Sequence, residues 1–196
     1  NEREFRSFFD KIIQLPFSMP IASYEIGTFL SNSLKDIGYL NEADYNNKEM
    51  LDKLSVFTNH SLGNNPRSLK RLMNTLSLIE IINKVTMRSV ENEDSDSDKL
   101  VNYALVCTQI AYPAIYKALC EEPDFISWNE NTANRFKLRK LEDHEVENLK
   151  KSEEFDEEWE QVLFRLCEND NYLSKRVFNI SSLLNSIKNE IPDGED

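Results

Sequence analysis

Three cations are spaced for work on an anion. Arg67, Lys70 and Arg71 fall three and four residues apart, the step that brings side chains onto one face of a helix. They open the segment Asn65-Pro66-Arg67-Ser68-Leu69-Lys70-Arg71-Leu72-Met73-Asn74. Asn65 is a good N-cap, and Pro66 suits the first helical position, where a missing N–H costs nothing. A helix start is the positive end of the helix dipole and presents outward N–H groups. Arg67 in that first turn is therefore locally unfavourable, and an anion beside it would reverse the sign. Together the three side chains can converge on a phosphate or a carboxylate. The competing reading is a surface helix paired with acidic neighbours, which this chain has in plenty.

The other residue types that do chemistry lack the company they need. The acidic pairs Glu121-Glu122, Glu153-Glu154 and Glu157-Glu158 have no histidine three residues on, so they read as solvated charge rather than a carboxylate–histidine metal site. His60 and His144 are isolated. Cys107, Cys120 and Cys167 lie in apolar helical stretches, where buried structural thiols are the rule. No G-x-x-x-x-G-K-[ST], G-x-G-x-x-G, G-x-S-x-G or H-E-x-x-H pattern occurs in the chain.

The composition narrows the classes further. The 196 residues carry 23 Lys/Arg against 35 Asp/Glu, a net charge of −12. Such a chain is a poor general binder of nucleic-acid backbone. Its 40% hydrophobic content supports a folded core. With only 4 Gly and 6 Pro it is too turn-poor for a β-sandwich. No apolar run approaches the roughly 20 residues of a membrane span. The polar start, Asn1-Glu2-Arg3-Glu4, has no apolar signal region. That start and its missing initiator Met suggest a piece of a longer protein. Three thiols without an export signal suit the cytoplasm.

The elements that must position the three cations read as helices. The expected fold is mainly α, helical bundles with at most one short N-terminal strand. Residues 4–10 resemble a helix end. Residues 11–17, Lys11-Ile12-Ile13-Gln14-Leu15-Pro16-Phe17, form the one strand-like run. Ser23 can cap a helix with Ile26, Phe29, Leu30, Leu34 and Ile37 in register, ended by Gly38. Met50, Leu51, Leu54 and Phe57 mark a second helix, stopped near Gly63. On the cation-bearing helix, Leu69, Leu72, Met73, Leu76, Ile79 and Ile82 form one buried stripe.

Residues 91–98 are polar and acidic, and they also divide the charge. Residues 1–90 hold 11 Lys/Arg and 10 Asp/Glu, whereas residues 91–196 hold 12 and 25. The expected organisation is therefore 1–90, an acidic linker at 91–98, and an acidic helical domain at 99–196. Leu100–Leu119 should be a helix divided near Ala111–Tyr112 by Pro113. Residues 121–140 look irregular. Residues 143–168 read as one charged helix with Phe155, Trp159, Val162, Leu163 and Leu166 inward. Short helices follow around Leu173–Phe178 and Ser181–Ile191, before a frayed end.

Three segments carry a resemblance. Phe8-Phe9-Asp10-Lys11-Ile12-Ile13-Gln14-Leu15-Pro16-Phe17-Ser18-Met19-Pro20 resembles the segment that closes the ATPase core of AAA+-type and KAP-type P-loop NTPases. Residues 65–74 resemble the "N-P-R-x-x-K-R-x-x-N" lid helix of the KAP family. Leu105–Tyr116 is similar to the helical region that follows in these bacterial NTPases. The likeness covers about the first 90 residues, loosely the next 30, and nothing beyond Asp124. It implies that Arg67 is the second-sensor arginine, touching the terminal phosphates of the nucleotide, with Lys70 and Arg71 as lesser partners. Arg6 lies where some relatives place a trans-acting arginine finger, but its local match does not carry that role over.

The phosphate loop and the Mg²⁺-binding acidic strand of the family are missing. The resemblance implies that both lie upstream of residue 1, so ATP and Mg²⁺ are expected for the intact protein only. This chain alone is expected neither to hydrolyse ATP nor to bind it tightly. Its expected partners are that upstream ATPase core and a protein bound through the acidic region; nucleic acid and membrane are not expected. The rival is a stand-alone acidic interaction module, with the Arg67 face docking an acidic partner and Trp128 and Trp159 as exposed anchors. Ordinary core packing is the default for both tryptophans, because Trp159 keeps helical register with Phe155 and Val162.

Overall fold

The computed structural model describes residues 26–85, 95–137, 142–144 and 157–191. Among the described residues the regular elements are helices, with no strand. They are α1 (Ile26–Asp36), α2 (Glu42–Asn46), α3 (Lys48–Ser61), α4 (Pro66–Val85), α5 (Ser95–Ala111), α6 (Pro113–Glu121), α7 (Glu130–Arg135), α8 (Glu158–Glu168), α9 (Asn171–Ser174) and α10 (Val177–Glu190). A 3₁₀ turn spans Phe125–Ser127. The fold is all-α, as the helical periodicities imply. The expected helix end at 4–10, strand at 11–17 and cap at Ser23 lie outside the described residues.

Helix ends follow local chemistry. α1 stops where Gly38 takes φ +79°, a left-handed conformation that a side chain would strain. Asn41 and Asp44 form a reciprocal capping box that starts α2, with both hydrogen bonds at 2.9 Å. Asn47 caps α3 through the Met50 amide. Pro113 ends α5 at Ala111 and begins α6, leaving Tyr112 at φ −133° between them. That is the division expected from a residue whose ring and missing N–H cannot continue a helix.

Three regions differ from the sequence expectation. The acidic run is not wholly a linker: Ser95–Asp98 are the first turn of α5, with Asp96 and Asp98 at its positive end. Carboxylates there are stabilised by the dipole, so the charge that reads as solvated linker also starts a helix. Residues 91–94 lie outside the described residues. The helix expected over 143–168 is not continuous, because Glu157 is extended and α8 starts only at Glu158. Its inward residues Trp159, Val162 and Leu163 are buried as expected. Residues 121–140, expected to be irregular, contain the 3₁₀ turn and α7.

α5 is the hub, packing against α3, α4, α6 and α10. The helices on either side of the acidic run thus share one core, which contains Leu54, Phe57, Leu72, Leu76, Tyr103, Cys107, Leu163, Ile180 and Leu183. Polar bonds cross the same boundary. Tyr103 Oη and Thr58 Oγ1 are 2.7 Å apart and buried. Tyr39 donates to the Lys99 carbonyl at 2.6 Å, and Tyr112 donates to the His60 carbonyl. Lys99 Nζ meets the buried Asp44 carboxylate at 2.7 Å. α8 packs on α7, α9, α10 and the 3₁₀ turn, where Phe125 lies edge-on to Trp159 at 5.3 Å.

A candidate anion site at the start of α4

α4 is held from one side. Leu69, Leu72 and Leu76 are its buried residues, and α5 is its main neighbour. Met73 and Ile79 pack on the core partly buried. Ile82, expected to complete the stripe, is 50% exposed.

Arg67, Lys70 and Arg71 are all exposed, and at about 100° per residue they point away from Leu69, Leu72 and Leu76. No ion pair reaches any of the three among the described residues. α4 carries a single carboxylate, Glu80, about 20 Å along the axis from Arg67. Burial holds the Glu80 carboxyl above its usual range, against the opposing pull of Lys84 and Lys99. The acidic neighbours that would make the three cations an ordinary paired surface are thus missing from their own helix.

The backbone at this helix start is already satisfied. Asn65 Oδ1 accepts from the amides of Arg67 at 3.0 Å and Ser68 at 3.4 Å, and the Leu69 amide reaches the Asn65 carbonyl at 3.0 Å. Pro66 has no N–H to offer. An anion here would therefore be held by two guanidinium groups and one ammonium, not by a nest of backbone amides. Such a set suits a polyanion. For Mg²⁺ the described residues offer no cluster of three carboxylate, histidine or cysteine ligands.

The remaining candidates are placed as follows. Trp128 is 1% exposed, with its indole N–H donated to the Glu122 carbonyl at 3.0 Å, and Trp159 is 2% exposed. Neither is the exposed anchor that the interaction-module reading needs. Cys107 and Cys167 are buried as expected, and burial pushes both thiols up to about 12. Cys120, expected to be buried, is exposed, because it faces outward beside the buried Ala118 and Leu119 of α6. His144 is exposed, 3.4 Å from Glu142. Glu122 pairs with Arg135, a structural tie between the end of α6 and α7. No described helix is long and apolar enough to cross a membrane.

One signal on α4 escaped the sequence reading. Leu78, Ile81 and Val85 continue the side of the helix that carries the cations, and they are 57%, 56% and 78% exposed. They keep the same three- and four-residue steps from Arg71 through Asn74, so α4 carries two stripes rather than one.

Residues 1–83 match the KAP family P-loop domain. No curated protein and no solved structure matches the chain.

Proposed function

With residues 1–83 related to KAP-type P-loop NTPases, we propose that this chain supplies the nucleotide-sensing lid of an ATPase. The observation that carries the reading is the position of Arg67, Lys70 and Arg71. They stand together, exposed and unpaired among the described residues, at the start of a helix inside the matched segment. Arg67 sits in the first turn, where its charge opposes the dipole and a phosphate would offset both. In this reading Arg67 contacts the terminal phosphates and Lys70 and Arg71 add charge around them. The fixed positive groups would stabilise charge that builds on the phosphate oxygens during transfer.

The chain lacks the phosphate-loop pattern, so turnover belongs to the intact protein with ATP and Mg²⁺. The acidic helical part, residues 99–196, would then be a regulatory or partner-binding module. Sequencing the coding region upstream of Asn1 tests the assignment. A G-x-x-x-x-G-K-[ST] loop followed by an acidic strand, read in frame, is the expected result. A reading frame without either would leave an acidic helical interaction protein.

A further inference from the structure

The last turn of α3 is fastened by a residue far along the chain. The final four carbonyls of a helix have no partner within it, and at a surface water serves them. Here the hydroxyl of Tyr112, a residue 0% exposed, donates to the His60 carbonyl. One turn earlier Thr58 meets Tyr103, so α5 grips the end of α3 at two points.

Only residues 62–65 separate that turn from α4. Leu62 and Gly63 both donate back to the Thr58 carbonyl, at 2.9 and 2.8 Å. Leu62 is buried, and Gly63 takes φ +55°, a left-handed conformation that a side chain would strain. Asn65 then caps α4. A connection this short and this fully bonded has little slack, so the first turns of α4 follow the last turn of α3.

Tyr112 also answers to the C-terminal helices. It stands at the break between α5 and α6. Arg176, the residue before α10, holds its guanidinium 5.1 Å over the Tyr172 ring. The same guanidinium acts on the Tyr112 hydroxyl, opposing the upward push of burial. The corner between α9 and α10 thus reaches the residue that fastens α3.

We propose that Tyr112 is a positioning residue for Arg67, Lys70 and Arg71, and that Arg176 makes its setting depend on α9 and α10. The inference rests on the anion-binding role proposed above for the three cations. A partner that displaced α9 and α10 would then change anion affinity at the start of α4 without touching it, and by linkage an anion there would change the setting of α10.

The test uses the 196-residue chain with inorganic tripolyphosphate as the probe, its binding followed by NMR titration. Tyr112→Phe removes the donor and keeps the ring. Amide hydrogen exchange over residues 62–71 should then quicken about fivefold, and tripolyphosphate should bind about fivefold more weakly. Ser181→Ala breaks a 2.6 Å hydrogen bond to Glu160, between α8 and α10. It should lose comparable stability yet leave both readings within about twofold of the parent. Arg176→Gln should show the exchange effect in weaker form, and Arg176→Lys less of it. Unchanged exchange over 62–71 in a folded Tyr112→Phe chain, or quicker exchange at parental affinity, would overturn the positioning role. So would a Ser181→Ala chain that matches Tyr112→Phe in both readings. Arg176→Gln without effect would overturn the tie to α9 and α10. Arg67→Ala binding tripolyphosphate as the parent does would instead sink the anion reading, while quicker exchange in Tyr112→Phe would keep the link between Tyr112 and the start of α4.

Discussion

The buried hydroxyl pair between α3 and α5 gives an asymmetric prediction. Thr58 Oγ1 lies 2.8 Å from the Leu54 carbonyl and 2.7 Å from Tyr103 Oη. A threonine has one hydroxyl hydrogen, and the Leu54 carbonyl can only accept, so Tyr103 must donate to Thr58. Tyr103→Phe removes that donor and leaves Thr58 still bonded to Leu54, a loss of about 1 kcal/mol. Thr58→Val keeps the volume but strands the O–H of Tyr103, which is 0% exposed, and should cost about 2 kcal/mol. At a urea slope of about 2 kcal/mol per molar, the valine variant should unfold about 0.5 M earlier than the phenylalanine one. Adding Tyr103→Phe to Thr58→Val removes the stranded donor, so the double variant should be more stable than Thr58→Val alone. Urea titration followed by helical circular dichroism reads all three. A double variant whose losses add, or a phenylalanine variant less stable than the valine one, would refute the donor assignment.

Other consequences are simpler to state. Asn65→Ala frees the Arg67 and Ser68 amides and should cost about 1 kcal/mol in a urea titration, whereas Asn65→Asp should cost little. Cys120 should react at once with an aromatic disulfide reagent at pH 8. Cys107 and Cys167 should react only as the chain opens, with all three titrating in denaturant. The two buried thiols have an ordinary value of 9.0 and folded values of about 12. Above pH 9 the unfolded chain therefore loses protons that the folded chain keeps. Stability should hold below pH 9 and fall as pH rises towards 12, and replacing both cysteines by alanine should lessen the fall that begins near pH 9, leaving the part above pH 10 that comes from the buried, upward-shifted hydroxyls of Tyr39 and Tyr103.

Helix punctuation was the most legible feature of this chain. Asn65-Pro66 marks the start of α4 and Pro113 the break between α5 and α6, because cap hydrogen bonding and proline sterics act within a few residues. The single core spanning the acidic run was not legible, since Thr58 and Tyr103 meet only after the helices pack. Net charge also misled over residues 95–98: Asp96 and Asp98, which read as part of a solvated linker, stabilise the first turn of α5. Burial was read correctly where the apolar stripe is dense, at Leu69, Leu72 and Leu76, and wrongly at Ile82 and Cys120, because apolar periodicity marks a face of a helix but not how far the packing on it extends. For the candidate site, the cations were legible from their spacing. The aliphatic residues beyond them were not, because the inward stripe alone already accounts for an amphipathic helix.

ATP turnover of the intact protein carrying Arg67→Ala tests the central reading most directly. Arg67 is exposed and its amide is capped by Asn65, so the variant should fold with a stability within about 0.5 kcal/mol of the parent. A kcat at least tenfold lower is expected, a loss of about 1.4 kcal/mol of transition-state stabilisation, with Lys70→Ala and Arg71→Ala less impaired. A folded Arg67→Ala protein that turns over ATP at the parental rate would contradict it.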